Sequence, residues 1–227
     1  MTQIEQPEPI TYQGQFGNFT ITESDRQSVI IYRAGLLVAA LSFAIGAALV
    51  LGTTTGELPL LDPNSVVLKV LTPLYACFCA GLGVSLMMIH IYLKPLHRAL
   101  QAFWAIGVLA SAIVAWQSSE PLALFVYNHP ITLFGVGFTF AALTGIYFKE
   151  AFCFNRLETK LLTPLVPMLL LGNLAGVLPV ALERVLLGIW AVLFLVFALR
   201  KVVQAIPPDI GDKSVFAYLK EQQSVRA

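Results

Sequence analysis

Residues 30–51 read IIYRAGLLVAALSFAIGAALVL, and the fold follows from what such a run can do. Its 22 residues hold one charge, Arg33, close to the start. A helix rises about 1.5 Å per residue, so this run spans the roughly 30 Å of a bilayer's hydrocarbon. Inside lipid the backbone amides have no water to bond, which leaves helix as the default for a long apolar run. Four more stretches meet the same test: Pro73 to Leu93, Ala99 to Trp116, Ile131 to Phe148, and Leu161 to about Leu178. A sixth runs from near Leu182 to Leu199, with Glu183 and Arg184 in the interface. The sequence therefore predicts an all-α polytopic transmembrane bundle of six spans. Residues 1–29 form a polar N-terminal segment, 30–200 the membrane domain, and 201–227 a tail with a short amphipathic helix.

Composition agrees. Of 227 residues, 57% are hydrophobic and 12% charged, whereas soluble domains average about 25% charged. Too little polar surface is present to cover a water-soluble body of this size. A net charge of +1 gives no case for nucleic-acid binding, and three cysteines do not suggest a disulfide framework. The first thirty residues include Glu5, Glu8, Glu23 and Asp25, unlike a secretory or transit signal, so the first span is expected to direct insertion.

Six spans place twelve of the fourteen basic residues on one side. Arg26 precedes the first span and Arg33 lies at its start, Lys94 and Arg98 follow the second, and Lys149, Arg156 and Lys160 follow the fourth. Arg200, Lys201, Lys213, Lys220 and Arg226 end the chain, which leaves Lys69 and Arg184 opposite. Basic residues in short loops stay cytoplasmic during insertion, so both termini are expected there.

Local signals sharpen the outline. Thr22 to Asp25 spells a capping box, so the first helix begins before the membrane. Residues 12–22, with turns at Gly14 and Gly17-Asn18, predict a small hairpin. The stretch from Gly52 to Gly56 ends the first helix, and Pro73, Pro130 and Pro179 mark helix starts. Pro164 and Pro167 are expected to bend the fifth span, with a second weak point at Gly172-Asn173. Gly81 and Ser85, with Ala34 and Gly35, form small-residue faces suited to close helix packing, as do Gly135 with Thr139 and Gly137 with Ala141. After Pro207-Pro208 a short helix sets Val215, Phe216 and Leu219 on one face, expected to rest on the membrane surface.

No catalytic or metal constellation satisfies geometry. His90 and His97 are separated by Pro95 at one side of the membrane, with His129 at the other, which does not suit bis-histidine haem ligation. Cys77 and Cys79 lie two apart on a helix, about 200° of rotation, and so diverge. Ser85 sits in mid-helix, not on the strand-to-helix turn of a nucleophile elbow. We therefore expect no cofactor, no metal and no enzymatic activity.

Two polar groupings remain. The fourth loop carries Lys149, Glu150, Phe152, Phe154, Asn155 and Arg156, whose alternation of charge and aromatic suits lipid anchoring or a docking surface for a membrane protein. Asn173, Glu183 and Arg184 form a possible intramembrane polar site, which keeps an ion or small-molecule transporter with a bent fifth span as the alternative.

The string Phe-Lys-Glu-Ala-Phe-Cys-Phe-Asn-Arg-Leu at 148–157, flanked by Gly145-Ile-Tyr and Thr163-Pro-Leu-Val-Pro, carries a resemblance. The chain resembles a family of uncharacterised integral membrane proteins found mainly in cyanobacteria, with relatives in photosynthetic eukaryotes. The resemblance implies a photosynthetic host membrane and supplies no catalytic residues. Together these readings favour a non-enzymatic accessory or assembly factor acting through lipid and a membrane-protein partner or a second copy of itself.

Overall fold

The computed structural model of the protein describes residues 11–52 and 64–225. Thr53 to Gly56, Glu5, Glu8 and Arg226 lie outside the described residues. A two-stranded antiparallel hairpin, β1 (Thr11–Gly14) and β2 (Gly17–Thr20), pairs Thr11 with Thr20 and Gly14 with Gly17, as residues 12–22 predicted. It leads into α1 (Glu23–Leu51), whose capping box is formed: Thr22 accepts from the Asp25 amide, and Asp25 accepts from the Thr22 amide at 2.8 Å.

The chain then runs through α2 (Val66–Met88), α3 (Lys94–Gln117), a short α4 (Leu122–Asn128), α5 (Leu133–Val136), α6 (Phe138–Phe154), α7 (Leu157–Leu174) and α8 (Val180–Val203). Among the described residues, α1, α2, α3 and α8 are long and apolar enough to cross a membrane. A fifth joins them if the segment 130–136 and α6, bent by 56°, count as one span. Helix α7 is 18 residues long, includes Glu158, Lys160, Pro164 and Pro167, and does not meet that standard by itself.

The structure corrects one expectation about prolines. Pro73 lies inside α2, because Val66, Val67 and Leu68 extend the helix back to Ser65. Helix α7 continues through Pro164 and Pro167, while the pronounced bend falls at Gly137, one rod earlier. Beside the bend the start of α6 packs on α3 so closely that a Cβ on Gly107 would overlap the Thr139 backbone. Gly137 keeps ordinary right-handed backbone (φ −61°), and a Cβ on it would stand 2.3 Å from the Leu133 carbonyl oxygen, so the bend leaves no room for a side chain there. By contrast Pro130 and Pro179 do stand at helix starts, at the first turn of a 3-10 segment and as the residue capping α8.

The core is continuous and aromatic. Tyr32 and Leu36 of α1, Phe78 and Leu82 of α2, Leu143 and Tyr147 of α6, and Phe194 and Phe197 of α8 are all 2% exposed or less. The small-residue faces of α1 and α2 meet as expected: a Cβ on Gly81 would lie 2.6 Å from the Gly35 carbonyl oxygen, and one on Gly35 equally close to that of Gly81. Ser85 donates to the Tyr32 carbonyl at 3.0 Å beside that crossing.

After α8 come α9 (Pro207–Ile210) and α10 (Lys213–Val225). Helix α10 meets protein: Tyr218 stacks on Phe16 with centroids 4.0 Å apart, and Phe216 lies 4.9 Å from Tyr92. Leu219, grouped with Phe216 by the sequence pattern, instead points outward. Asp212 fastens this dock by accepting from the Gln15 amide at 2.7 Å and from Ser214, while Lys213 pairs with Asp25 at 2.7 Å.

The bonds from Ser214 and Gln15 hold the Asp212 carboxyl below the usual carboxylate range. A depressed folded pKa means this contribution is present above the unfolded value of about 3.9 and is lost as pH falls through the folded value. The protection of the Gln15 amide against hydrogen exchange, relative to the unstructured rate at the same pH, should therefore fall as pH drops below about 4. In Asp212→Asn that acid dependence should flatten; an unchanged profile would remove Asp212 from the dock.

Candidate functional site

The ends of α1, α6 and α8 converge, and there the bundle buries charge. Glu150 is fully buried, Lys201 is 1% exposed, Asp209 4%, Glu158 5% and Arg33 8%. Ions at such burial persist only when paired and hydrogen-bonded, so the pairing defines the site.

Arg33, ten residues into α1, spends its fork on the far end of the chain. Its Nη2 lies 2.6 Å from Asp209 Oδ2, Nε donates to the same oxygen at 2.9 Å, and Nη1 and Nη2 donate to the Gln204 and Ala205 carbonyls at 2.6 and 2.9 Å. One guanidinium thus satisfies carbonyls that the end of α8 leaves open and neutralises an acid of α9. Lys201 sits between two carboxylates: Nζ bonds Asp209 Oδ1 and stands 2.7 Å from Glu150 Oε2. The Lys201–Glu150 contact has ion-pair distance without hydrogen-bond geometry, so Coulomb attraction holds it. Glu150 Oε1 accepts from Lys149 at 2.9 Å and from the Tyr32 hydroxyl at 3.3 Å.

A second lobe follows from the turn into α7, where Asn155 adopts left-handed backbone (φ 53°) and ends α6. The turn carries Arg156 inward onto the Gln204 side chain, with Nη1 3.8 Å from Glu158 Oε1. Arg200 reaches the other Glu158 oxygen at 2.9 Å. Gln204 links the lobes, since its side-chain amide donates to Asp209 at 3.3 Å. Phe154 lies among the cations, its centroid 4.1 Å from Lys201 Nζ, 5.3 Å from Lys149 Nζ and 5.8 Å from the Arg156 guanidinium carbon. The ring's negative face favours that arrangement.

Of the fourth-loop residues singled out by sequence, Glu150 is buried and Lys149, Phe154 and Arg156 turn into this cluster. Phe152, 84% exposed, faces outward together with Asn155. At the opposite end, Asn173 donates to Glu183 at 2.9 Å and Arg184 donates to the Leu51 carbonyl at 2.9 Å. The structure thus joins Asn173 to Glu183 and sends Arg184 to the end of α1. His97 lies 2.6 Å from the Leu86 carbonyl, closing the turn between α2 and α3, and burial lowers the pKa of nearby His90. Sequence reasoning missed Lys201 and Asp209, which it assigned to a tail. The available signal was Arg33, a charge already inside an apolar run and therefore in need of an acid.

Between the two ends the described interior buries no charged side chain, and Phe43, Phe78, Phe140, Trp190 and Phe194 form a chain of ring contacts there. Among the described residues, no group of three or more His, Cys, Asp or Glu is placed to hold a metal ion. The ionic residues are engaged with one another, so what the arrangement accomplishes is clamping: it ties α1, the α6–α7 turn, the end of α8 and α9 together.

Long apolar helices around an aromatic core, with charge confined to the ends, define an integral membrane protein of the helical-bundle class. Residues 84–218, more than half of the chain, match the model of the family described as uncharacterized integral membrane protein (DUF2301), and the protein belongs to that family. No curated protein and no solved structure matches the chain.

Proposed function

We propose that the protein is a six-span membrane protein with both termini cytoplasmic, acting without catalysis as an accessory or assembly factor. Its membrane is the plasma membrane or a thylakoid, as the resemblance to proteins of photosynthetic organisms implies. Three features support the topology. The hairpin and α10 pack together, which calls for an even number of crossings. The cluster sets five cations (Arg33, Lys149, Arg156, Arg200, Lys201) against three carboxylates (Glu150, Glu158, Asp209), an excess suited to the cytoplasmic face. Helix α7, read as a span, completes the six.

The role rests on one observation, that the cluster is closed on itself. Charges spent on internal clamping make a rigid body, and Phe148, Phe152 and Leu157 beside it, each more than half exposed, offer apolar anchors to a neighbour. The neighbour is a membrane-protein partner or a second copy of the chain. Affinity purification from native membranes in mild detergent should recover a stoichiometric companion that Phe152→Asp releases. Recovery of a lone monodisperse chain would sink the proposal.

A second reading, transport of an ion or small molecule, draws on the Asn173–Glu183 bond at the opposite end. The same purified protein in vesicles tests it. Flux abolished by Asn173→Leu and Glu183→Gln would favour transport, and absence of flux across a broad panel would retire it.

A further inference from the structure

Away from the ionic cluster, in the half of the bundle where α1 ends and α2 begins, lies a cavity of about 240 Å³. Helices α1, α2 and α4 form most of its wall, and Phe140 and Leu187 contribute from α6 and α8. Its lining includes no charged side chain, and its polar groups are the hydroxyls of Ser42, Thr72 and Tyr75. Tyr75 is engaged elsewhere, bonded to Ser111 at 2.8 Å and Thr139 at 3.1 Å. An apolar void of about 150 Å³ stays dry yet admits benzene, so a larger one with similar walls favours hydrocarbon over water.

Shape selects among hydrocarbons. On α1 the wall runs from Ser42 to Val50, and on α2 from Leu71 to Phe78. At about 1.5 Å of rise per residue, these edges are roughly 12 and 10 Å long. The void is thus a slot along the helix axes, parallel to the chains of a surrounding bilayer. That favours an extended chain over a compact ring. With no ionic group in the wall to hold a headgroup, the occupant enters by its tail.

We propose that this slot binds one acyl chain of a membrane lipid, whose headgroup stays outside the bundle. Trp190 reports on it. The ring is 2% exposed and thus shielded from bulk lipid, but it sits 4.4 Å from Phe43 and 5.4 Å from Phe140, centroid to centroid, and both of those line the slot.

The full chain carrying Trp104→Phe and Trp116→Phe is reconstituted in vesicles of phosphatidylcholine with acyl chains brominated near the methyl end. Trp190 emission should fall at least twofold relative to unbrominated vesicles. Ala123→Phe, which fills the slot from α4, should abolish that loss; Val126→Trp, which fills it likewise, is read by lipid retention alone. If the double tryptophan replacement does not fold, the same comparison is made with all three tryptophans present, reading the difference between the native chain and Ala123→Phe. Mass spectrometry of the chain released from detergent should find one retained lipid in the native protein and none in either filled variant. Absence of quenching, or quenching that persists after filling, would overturn the proposal.

Discussion

Lys201→Met should be the most damaging single substitution in the ionic cluster. Lys201 is 1% exposed and placed between Glu150 and Asp209, so methionine fills its volume but leaves two carboxylates facing an apolar side chain. Removing one partner of a buried ionic group costs about 3–5 kcal/mol; Glu150 keeps Lys149 and Asp209 keeps Arg33, but both lose the cation held between them. In a domain of this size that corresponds to a fall in Tm of about 10 °C or more. Adding Glu150→Gln should restore at least half of the loss, since Arg33 still neutralises Asp209 and an amide tolerates the Tyr32 hydroxyl. Thermal unfolding in detergent reads all three proteins. A Tm for Lys201→Met within about 2 °C of the native value would mean that water reaches the cluster and screens it.

The second large effect belongs to the crossing of α1 and α2. Gly81→Leu should prevent the helices from closing, because its Cβ would stand 2.6 Å from the Gly35 oxygen and 2.9 Å from the Ala39 nitrogen. Both are backbone atoms, so no side chain can swing aside, and a loss of about 3 kcal/mol or more is expected. Gly35→Ala should fail similarly, meeting the Gly81 oxygen at 2.6 Å. Gly188→Ala is the control: its Cβ meets only Leu51 Cδ1, at 3.4 Å. There the gain in helix propensity, up to about 1 kcal/mol, should leave stability unchanged or raised. Equal Tm values for Gly81→Leu and Gly188→Ala would show that the helices do not approach as described.

What could be read from the chain alone follows a physical division. The capping box at Thr22 to Asp25, the hairpin, and the Gly35–Gly81 crossing were legible because each rests on local chemistry or on residue size along one helix face. The bend was not. Helix α7 runs on through Pro164 and Pro167, whereas at the bend by Gly137 the start of α6 packs closely on α3, and nothing near 137 encodes that neighbour. The candidate site was legible in half. Lys149, Glu150 and Arg156 stood out as a charged loop, but their inward direction depends on Arg33, Lys201 and Asp209, which arrive from remote parts of the chain. Lys201 and Asp209 follow an apolar run, where sequence alone suggests solvation.

The contact between Arg33 and Asp209 spans 176 positions, and this has a temporal consequence. Synthesis delivers the arginine early and its acid near the end, so for most of translation the first helix holds a cation whose final partner does not yet exist. Until then Arg33 must remain at the lipid headgroups or be sheltered by the insertion machinery. A message broken shortly before codon 209 would yield a product with every long helix but an arginine left unneutralised, a defect that membrane proteolysis is positioned to detect.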